Sequence, residues 1–173
     1  MIDSTIYKQK LELVIEKIED PYTIIHVLHA AYKRYEFDPI PSSALSETEH
    51  TILENLQRGI TIFSAKLCGE VVGIVKYEGT NEGAYFSRLA VLPSFQGQGI
   101  ASKLIHFLTK HAQSEKHQTI YCKVRKSEPN NIKLYKKLGF SITKEELIEN
   151  PNAVSMDVYT MHKTINSNYA KQT

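Results

Sequence analysis

The sequence predicts an α/β fold of the α+β kind, in which helices flank a twisted, mixed and mostly antiparallel sheet. Two helical segments come before residue 60, and from residue 61 onward short β-rich segments follow one another directly. Along the whole chain helices and strands do not alternate strictly, whereas strict alternation is the pattern of a parallel sheet. These observations together favour a sheet built largely from antiparallel neighbours.

The first patterned segment, residues 11–15, is apolar and β-branched, so it fits either a first strand or the start of a helix. Asp20-Pro21 is a helix entry, because an N-cap residue is followed by proline at the first helical position. Ile24, Val27 and Leu28 then fall on one face of a helix. We therefore predict a first helix over residues 21–35.

The segment between the first two helices is predicted as a loop over residues 37–43. It contains Pro39 and Pro41, and each proline restricts the residue before it. Residues 46–49, with the sequence Ser-Glu-Thr-Glu, match the pattern of a capping box. The box predicts a second helix that ends at Gly59.

The β-rich part begins with residues 61–67 and 70–77, which the turn residues Cys68-Gly69 join into a hairpin. A loop over residues 79–83 leads to the next strand. The remaining predicted elements are a strand over 84–91, a helix over 99–112, a strand over 119–124, a helix over 129–138 and a strand over 154–165.

Length and composition favour a single domain, which we place at residues 1–165 and follow with a C-terminal tail over 166–173. A net charge of +2 without a long Lys/Arg block argues against a nucleic-acid partner. The sequence shows neither an export signal nor an apolar stretch of membrane-spanning length, so we expect a cytoplasmic protein without membrane association. Cys68 and Cys122 lack metal-ligand spacing, so we expect free thiols and no metal site.

Residues 96–102 follow a strand and a Pro93 turn and open a helix. Glycines there let the backbone come close to a ligand, and the unpaired N–H groups at a helix start attract anions. Two glycines could equally make a tight strand-to-helix turn. A P-loop is excluded because Lys103 follows Ser102, and a dinucleotide fingerprint lacks its acidic residue about twenty positions later. A diphosphate site of another kind is predicted.

Two segments then resemble the GCN5-related N-acetyltransferase (GNAT) superfamily. Residues 89–104 resemble motif A, whose core is Gln/Arg-x-x-Gly-x-Gly/Ala after a Val-x-Pro strand end, and residues 132–140 resemble the Leu-Tyr-x-Lys-x-Gly-Phe end of motif B. The first sixty residues resemble the family only in layout. The resemblance implies splayed central strands and direct transfer of an acetyl group, in a ternary complex, from acetyl-CoA to a primary amine of a small molecule or peptide.

The resemblance also implies which residues contact the cofactor. The main chain of Leu89, Ala90 and Val91 would pair with the pantetheine arm. The pyrophosphate would be wrapped by Gln96, Gly97, Gln98, Gly99, Ile100, Ala101 and Ser102. Motif B often has Asn where this sequence has Glu128, and Asn130 and Asn131 are near enough to replace it.

Tyr135 lies where the family places a general acid for the departing CoA thiolate, although packing of a helix-face tyrosine on the core would explain it outside this motif. Some members have Glu at the position of Tyr85, so that general base is missing. Glu78 and Glu82 are candidate bases acting through water, and each could instead be a solvated residue.

The acceptor site is expected beside the loop after the first helix. Tyr32, Tyr35 and Phe37 would line it, unless they pack in the core, and Arg88 would orient an acidic acceptor or decorate its strand. The alternative function is an acetyl-CoA sensor or interaction domain without catalysis. A nucleotide-binding α/β protein without CoA specificity would explain residues 96–102, which we call the glycine loop, but not the motif B resemblance. Monomer and homodimer both fit the sequence.

Overall fold

Seven strands form one mixed sheet in the computed structural model, which describes residues 12–150 and 153–165. They are β1 (Leu13–Lys17), β2 (Thr61–Leu67), β3 (Glu70–Thr80), β4 (Gly83–Val91), β5 (Thr119–Arg125), β6 (Ser141–Glu149) and β7 (Ser155–Thr164). Their order in the sheet is β1-β2-β3-β4-β5-β7-β6, and every neighbouring pair except β4 and β5 is antiparallel. The predicted mixed, mostly antiparallel sheet is confirmed.

Helices cover both faces of this sheet. They are α1 (Pro21–Tyr32), α2 (Glu49–Gln57), α3 (Ile100–Ser114) and α4 (Pro129–Lys137). Because side chains along a strand alternate between the two faces, Ile62 and Ile74 pack with α1 and α2, whereas their neighbours Phe63 and Val75 pack with α3. The buried side chains thus form two core clusters, one on each side of the sheet.

The predicted hairpin of β2 and β3 is confirmed, and its turn shows why these residues form it. Cys68 has φ of 50° and Gly69 has φ of 80°. Left-handed conformations at both central residues are those of a type I′ turn, whose twist matches that of the flanking strands.

The two parallel neighbours, β4 and β5, pair at only two positions, Ala84 with Ile120 and Tyr85 with Tyr121. Beyond Tyr85 they separate, while β3 continues to pair with β4 as far as Val91. The splayed central strands are confirmed. The gap between them opens toward the C-terminal ends of both strands.

A bulge in β4 lies at the start of this gap. The register with β3 shifts by one residue, so that Arg88 and Leu89 together face Val75. Arg88 has φ of 52°, a left-handed conformation that is uncommon for a residue with a long side chain. Because a bulge bends its strand and increases the local twist, it helps to turn the end of β4 away from β5.

Two predictions about the first helices are wrong in detail. The α-helical part of the first helix ends at Tyr32, and Lys33–Tyr35 tighten into a 3-10 turn, as is common where a helix ends. Ser43–Ser46 form a 3-10 turn of their own, so Ser46 does not cap α2. The capping box is made by Thr48 and Thr51, whose side chains each accept a hydrogen bond from the other's backbone N–H, at 2.9 and 3.3 Å.

The strands differ from the predictions in two ways. β6 was not predicted, because its sequence of mixed charged and apolar residues lacks a clear period of two, and most of its side chains are exposed. Its pairing with β7 holds it at the edge of the sheet. The predicted loop 79–83 is shorter than expected, since β3 runs to Thr80 and β4 starts at Gly83.

Parts of the predictions lie outside the described residues, namely Leu11 and the tail over 166–173. The first segment is a strand, and its described part begins at Leu13. No helix within residues 12–150 and 153–165 has both the length and the apolar character needed to cross a membrane.

Gly83, the first residue of β4, lies directly against Thr119 of β5, and we expect Gly83→Ala to lower the free energy of unfolding by about 2–4 kcal/mol. Its φ is 130°, and a Cβ would lie 2.3 Å from Thr119 Oγ1 and 2.6 Å from the Thr119 carbonyl oxygen. The loss combines backbone strain with overpacking. Thermal unfolding measures it. The control is Gly59→Ala, at φ of 89° and with open space around its Cβ, which should cost about 1 kcal/mol; equal losses would contradict the prediction.

Candidate functional site

Two grooves open where β4 and β5 separate. The first, which we call the loop groove, has a volume of about 360 Å³ and lies between the end of β4, the glycine loop and the starts of α3 and α4. The second, which we call the hairpin groove, has a volume of about 300 Å³ and lies between β4, β5 and the β6–β7 hairpin. The grooves meet at five residues that line both, Tyr32, Tyr35, Leu89, Asn131 and Tyr135.

Most of the residues predicted to contact a cofactor lie together in the loop groove. Those that line it are Leu89, Ala90, Val91, Gln96, Gly97, Gly99, Ile100, Ala101, Ser102 and Asn131. Gln98 is exposed and does not line it. The groove therefore joins the two sequence motifs into one surface.

The glycine loop needs its glycines for their backbone conformation. Gly97 and Gly99 have φ of 77° and 79°, and no atom lies within 4 Å of the position that a Cβ would take at either residue. The first backbone hydrogen bond of α3 runs from Lys103 N–H to the Gly99 carbonyl, at 3.1 Å. The N–H groups of Ile100 and Ala101 therefore have no acceptor within the helix, and the positive end of the helix dipole points into the groove.

Within the described part of the chain, the edge of β4 that faces the gap carries N–H groups without an acceptor. Leu92 N–H donates to the Val72 carbonyl of β3 at 2.8 Å. Because N–H groups alternate in direction along a strand, those of Val91 and Leu89 point away from β3, toward the side that β5 has left. These two N–H groups are available to a ligand in the gap.

Side chains satisfy the carbonyl groups on the same edge. Gln96 Nε2 donates to the Val91 carbonyl at 3.0 Å, and the Tyr32 hydroxyl donates to the Leu89 carbonyl at 3.3 Å. The glycine loop and the end of α1 are thereby tied to the gap-facing edge of β4.

Tyr135 lies at the junction of the two grooves. Its ring packs against Phe86 and Phe140 at centroid distances of 5.8 and 6.1 Å, and only 8% of the residue is exposed. Burial raises the pKa of Tyr135 well above its usual value of 10. Among the residues that the structure describes, the Tyr135 hydroxyl has no hydrogen-bond partner. The hydroxyl is therefore protonated at neutral pH, and no described residue accepts a hydrogen bond from it.

The end of α1 is joined to the start of α4 by a polar contact that the sequence analysis missed. The Tyr35 hydroxyl donates to Glu128 Oε2 at 2.9 Å, and Arg34 Nη2 lies 3.6 Å from the same oxygen. Arg34 also lies over the Tyr35 ring and donates to its hydroxyl. Burial, together with this bond to Glu128, raises the pKa of Tyr35 to about 12, so the hydroxyl remains a donor at neutral pH.

A second polar cluster lies behind the β4 bulge. Glu47, just before α2, accepts hydrogen bonds from Lys76 Nζ and Arg88 Nε, and the three side chains are 12%, 7% and 28% exposed. Lys76 also donates to Asn55 Oδ1 at 2.6 Å, and Arg88 Nη2 donates to Ser43 Oγ at 3.1 Å. Burial lowers the pKa of Lys76. The cluster thus connects the β4 bulge with the residues just before α2 through hydrogen bonds.

Several predicted site residues lie elsewhere. Phe37 is 92% exposed and lines neither groove, whereas Tyr32 and Tyr35 line both. Arg88 lines the hairpin groove, but its guanidinium already donates hydrogen bonds to Glu47 and Ser43. Glu78 and Glu82 line neither groove. Within the described part of the chain, no group of three or more His, Cys, Asp or Glu side chains could hold a metal ion.

Comparison with protein families gives one match that covers most of this site. Residues 25–140 match the model of the acetyltransferase (GNAT) family. A curated relative, the chloroplastic GCN5-related N-acetyltransferase 6 of Arabidopsis thaliana, is 27% identical over 107 residues. The matched region is 62% of this chain, and it spans 36% of the length of the relative.

Solved structures share the fold at low sequence identity. The ribosomal-protein-S18-alanine N-acetyltransferase from Escherichia coli superimposes with a TM-score of 0.73 at 19% identity, over 94% of this chain and 99% of that one. The PaiA N-acetyltransferase from Thermoplasma acidophilum, solved in complex with coenzyme A, gives a TM-score of 0.72 at 16% identity, over 88% of this chain and 99% of that one.

We expect Glu47→Ala to destabilise the protein by about 3–5 kcal/mol, because it leaves Lys76 buried without its counter-charge. Chemical denaturation measures the change. Glu16→Ala is the matched control, since Glu16 pairs with Lys66 at the surface and should contribute no more than about 1 kcal/mol. Similar effects of the two substitutions would show that the Glu47 cluster behaves as a surface pair.

Proposed function

Because this chain belongs to the acetyltransferase (GNAT) family, we propose that it transfers the acetyl group of acetyl-CoA to a primary amine of a small molecule or peptide. Both substrates would be bound together, the acetyl-CoA in the loop groove and the amine in the hairpin groove. The observation that carries the proposal is the protonated Tyr135 hydroxyl, which has no hydrogen-bond partner among the described residues and lies where the grooves meet.

The residues of the loop groove fit acetyl-CoA. The N–H groups at the start of α3, together with the two glycines of the loop, suit a pyrophosphate. The free N–H groups of Leu89 and Val91 suit the amide groups of a pantetheine arm. When bound, acetyl-CoA would supply a reactive thioester whose acyl carbon accepts the amine and whose sulfur departs as the CoA thiol.

Tyr135 would act as the general acid. Its raised pKa keeps the proton on the phenol at neutral pH, so the hydroxyl can give that proton to the departing sulfur. The phenol would then recover a proton from the nitrogen that has formed the new amide bond. Tyr135 thus returns to its starting state in each turnover.

Direct transfer is favoured over a covalent acyl-enzyme. Cys122 lines the hairpin groove, but burial raises the pKa of its thiol to about 12. A cysteine nucleophile reacts as the thiolate, and at neutral pH this thiol stays protonated.

The function is tested by incubating the protein with acetyl-CoA and a panel of amines, comprising polyamines, amino acids, aminoglycosides and peptides. A peptide with N-terminal alanine belongs in the panel because of the E. coli neighbour's activity on ribosomal protein S18 alanine. We expect saturable release of CoA thiol with one class of amine, matched by acetylated product in mass spectrometry. Tight CoA binding without release in the presence of any panel amine would favour the sensor alternative.

We predict that Gly99→Glu weakens CoA binding at least about 100-fold. The substitution strains a backbone with φ of 79° and places a carboxylate at the positive end of α3, where Gly99 and its neighbours would hold the pyrophosphate. Calorimetry measures the affinity. Gly69→Glu is the control, because its φ of 80° imposes the same strain in a turn outside both grooves; equal weakening in both variants would place the effect in folding.

We predict that Tyr135→Phe lowers kcat by about 10²–10⁴-fold while CoA affinity barely changes, because one hydroxyl is lost and the ring packing is kept. Rapid-mixing measurement of thiol release checks the chemical step. Tyr77→Phe is the control, since it removes a buried hydroxyl that donates to Glu115 at 2.6 Å outside the grooves. It should lower the melting temperature and leave kcat unchanged. An undiminished kcat in Tyr135→Phe would rule out Tyr135 as the general acid.

A further inference from the structure

A primary amine must lose a proton before it attacks. With a pKa near 10, only about one molecule in a thousand is neutral at pH 7. The predicted bases Glu78 and Glu82 line neither groove. If the proposed transfer takes place, a different group must accept this proton.

Two carboxylates within the described residues line the hairpin groove, Glu128 and Glu149. Glu149 is exposed, at the end of β6. Glu47 lies behind the bulge, and Lys76 and Arg88 bind its two oxygens. Glu128 combines a place in the groove with a side chain that is only 19% exposed.

Glu128 is held in position through one of its oxygens. Oε2 accepts the bond from Tyr35 and faces Arg34, whereas Oε1 has no hydrogen-bond partner among residues 12–150 and 153–165. Glu128 precedes Asn131 by three residues and Tyr135 by seven, and all three line the hairpin groove. Glu128 is the N-cap of α4 and Tyr135 lies within this helix, so one short segment carries both side chains to the hairpin groove.

We propose that Glu128 is the general base of the reaction, and this inference rests on the proposed function. The carboxylate takes one proton from the substrate ammonium, directly or through a single water, and becomes a carboxylic acid. The neutral amine nitrogen forms a bond to the acyl carbon, the carbon–sulfur bond breaks, and Tyr135 protonates the sulfur. The nitrogen then gives a second proton to the deprotonated Tyr135, and Glu128 releases the first proton to solvent. The net products are the amide, the thiol and one proton.

Other charged and titratable groups lie around Glu128. Arg34 and Tyr35 contact it, and the hairpin groove is also lined by Tyr32 on α1, Tyr85 and Arg88 on β4, Cys122, Lys123 and Arg125 on β5, Tyr135 on α4 and Glu149 on β6. A pH profile of the wild type alone would therefore mix several groups. Comparison of variants separates the contribution of Glu128.

The test uses Glu128→Gln with the most active amine of the panel. We expect kcat/KM at pH 7 to fall by about 10²–10⁴-fold. Without the base the variant must use the small neutral fraction of the amine, so its rate should rise about tenfold per pH unit from pH 7 to 9, more steeply than that of the wild type. A purely structural residue would not produce this recovery at high pH.

Two further variants separate the base from a structural role. Tyr35→Phe breaks the same hydrogen bond but keeps the carboxylate, so it should lose much less activity than Glu128→Gln. Glu54→Gln, an exposed glutamate on α2, should leave kcat/KM unchanged. Equal losses in Tyr35→Phe and Glu128→Gln would mean that Glu128 only holds Tyr35, and the inference would be overturned.

Binding of the amine gives a readout that does not depend on turnover. Calorimetry with the same amine and no acetyl-CoA should show affinity at least about tenfold weaker for Glu128→Gln, because a charged acceptor is lost. CoA affinity should match the wild type, and the melting temperature should fall only slightly, because the Gln amide oxygen can still accept the hydrogen bond from Tyr35. An active wild type with an equally active Glu128→Gln would overturn this inference alone. Absence of turnover with every panel amine would overturn the proposed function and this inference with it.

Discussion

The parting of β4 from β5 after two paired residues is the constraint on which the rest of the site depends. Backbone polar groups inside a sheet are normally satisfied by neighbouring strands, and beyond Tyr85 the β5 side of β4 has no such neighbour. Tyr32 and Gln96 satisfy the carbonyls of Leu89 and Val91. The N–H groups of the same two residues face the gap. A ligand with amide groups completes this edge as an added strand would.

Charged side chains around the gap add polar contacts between elements on its sides. Glu47 joins the entry of α2 to the bulge through Arg88 and Lys76. Glu128 joins the start of α4 to the end of α1 through Tyr35. Charges that are mostly buried are tolerated only with partners, so each cluster also fixes the geometry of its wall. The two clusters differ, because both oxygens of Glu47 accept hydrogen bonds, whereas Oε1 of Glu128 has no hydrogen-bond partner among the residues that the structure describes.

The parts of the site that could be predicted are those that depend on local sequence. Gly97 and Gly99 need left-handed backbone conformations, and Tyr135 sits at a fixed spacing in one short helix. Both features leave a pattern within a dozen residues. The fold class followed from the order of helices and strands, which local patterns also predict. The strand that was missed, β6, has a mixed charged sequence without such a pattern.

The parts that could not be predicted depend on contacts between distant residues. Arg88 and Glu47 are 41 residues apart, and Tyr35 and Glu128 are 93 apart, so no window of sequence contains either pair. Phe37 shows the converse error. It is close in sequence to Tyr32 and Tyr35, which line both grooves, but it lies beyond the 3-10 turn after α1, is exposed and lines neither groove.

Amide hydrogen exchange at Leu89 and Val91, measured by NMR with and without saturating CoA, tests most directly whether the gap receives the cofactor. The account predicts that exchange of these two amides slows by at least about tenfold when CoA binds, because they gain acceptors. Leu92, whose N–H already donates to Val72, serves as the internal reference and should change little. Unchanged exchange at both Leu89 and Val91 in the presence of bound CoA would contradict the account.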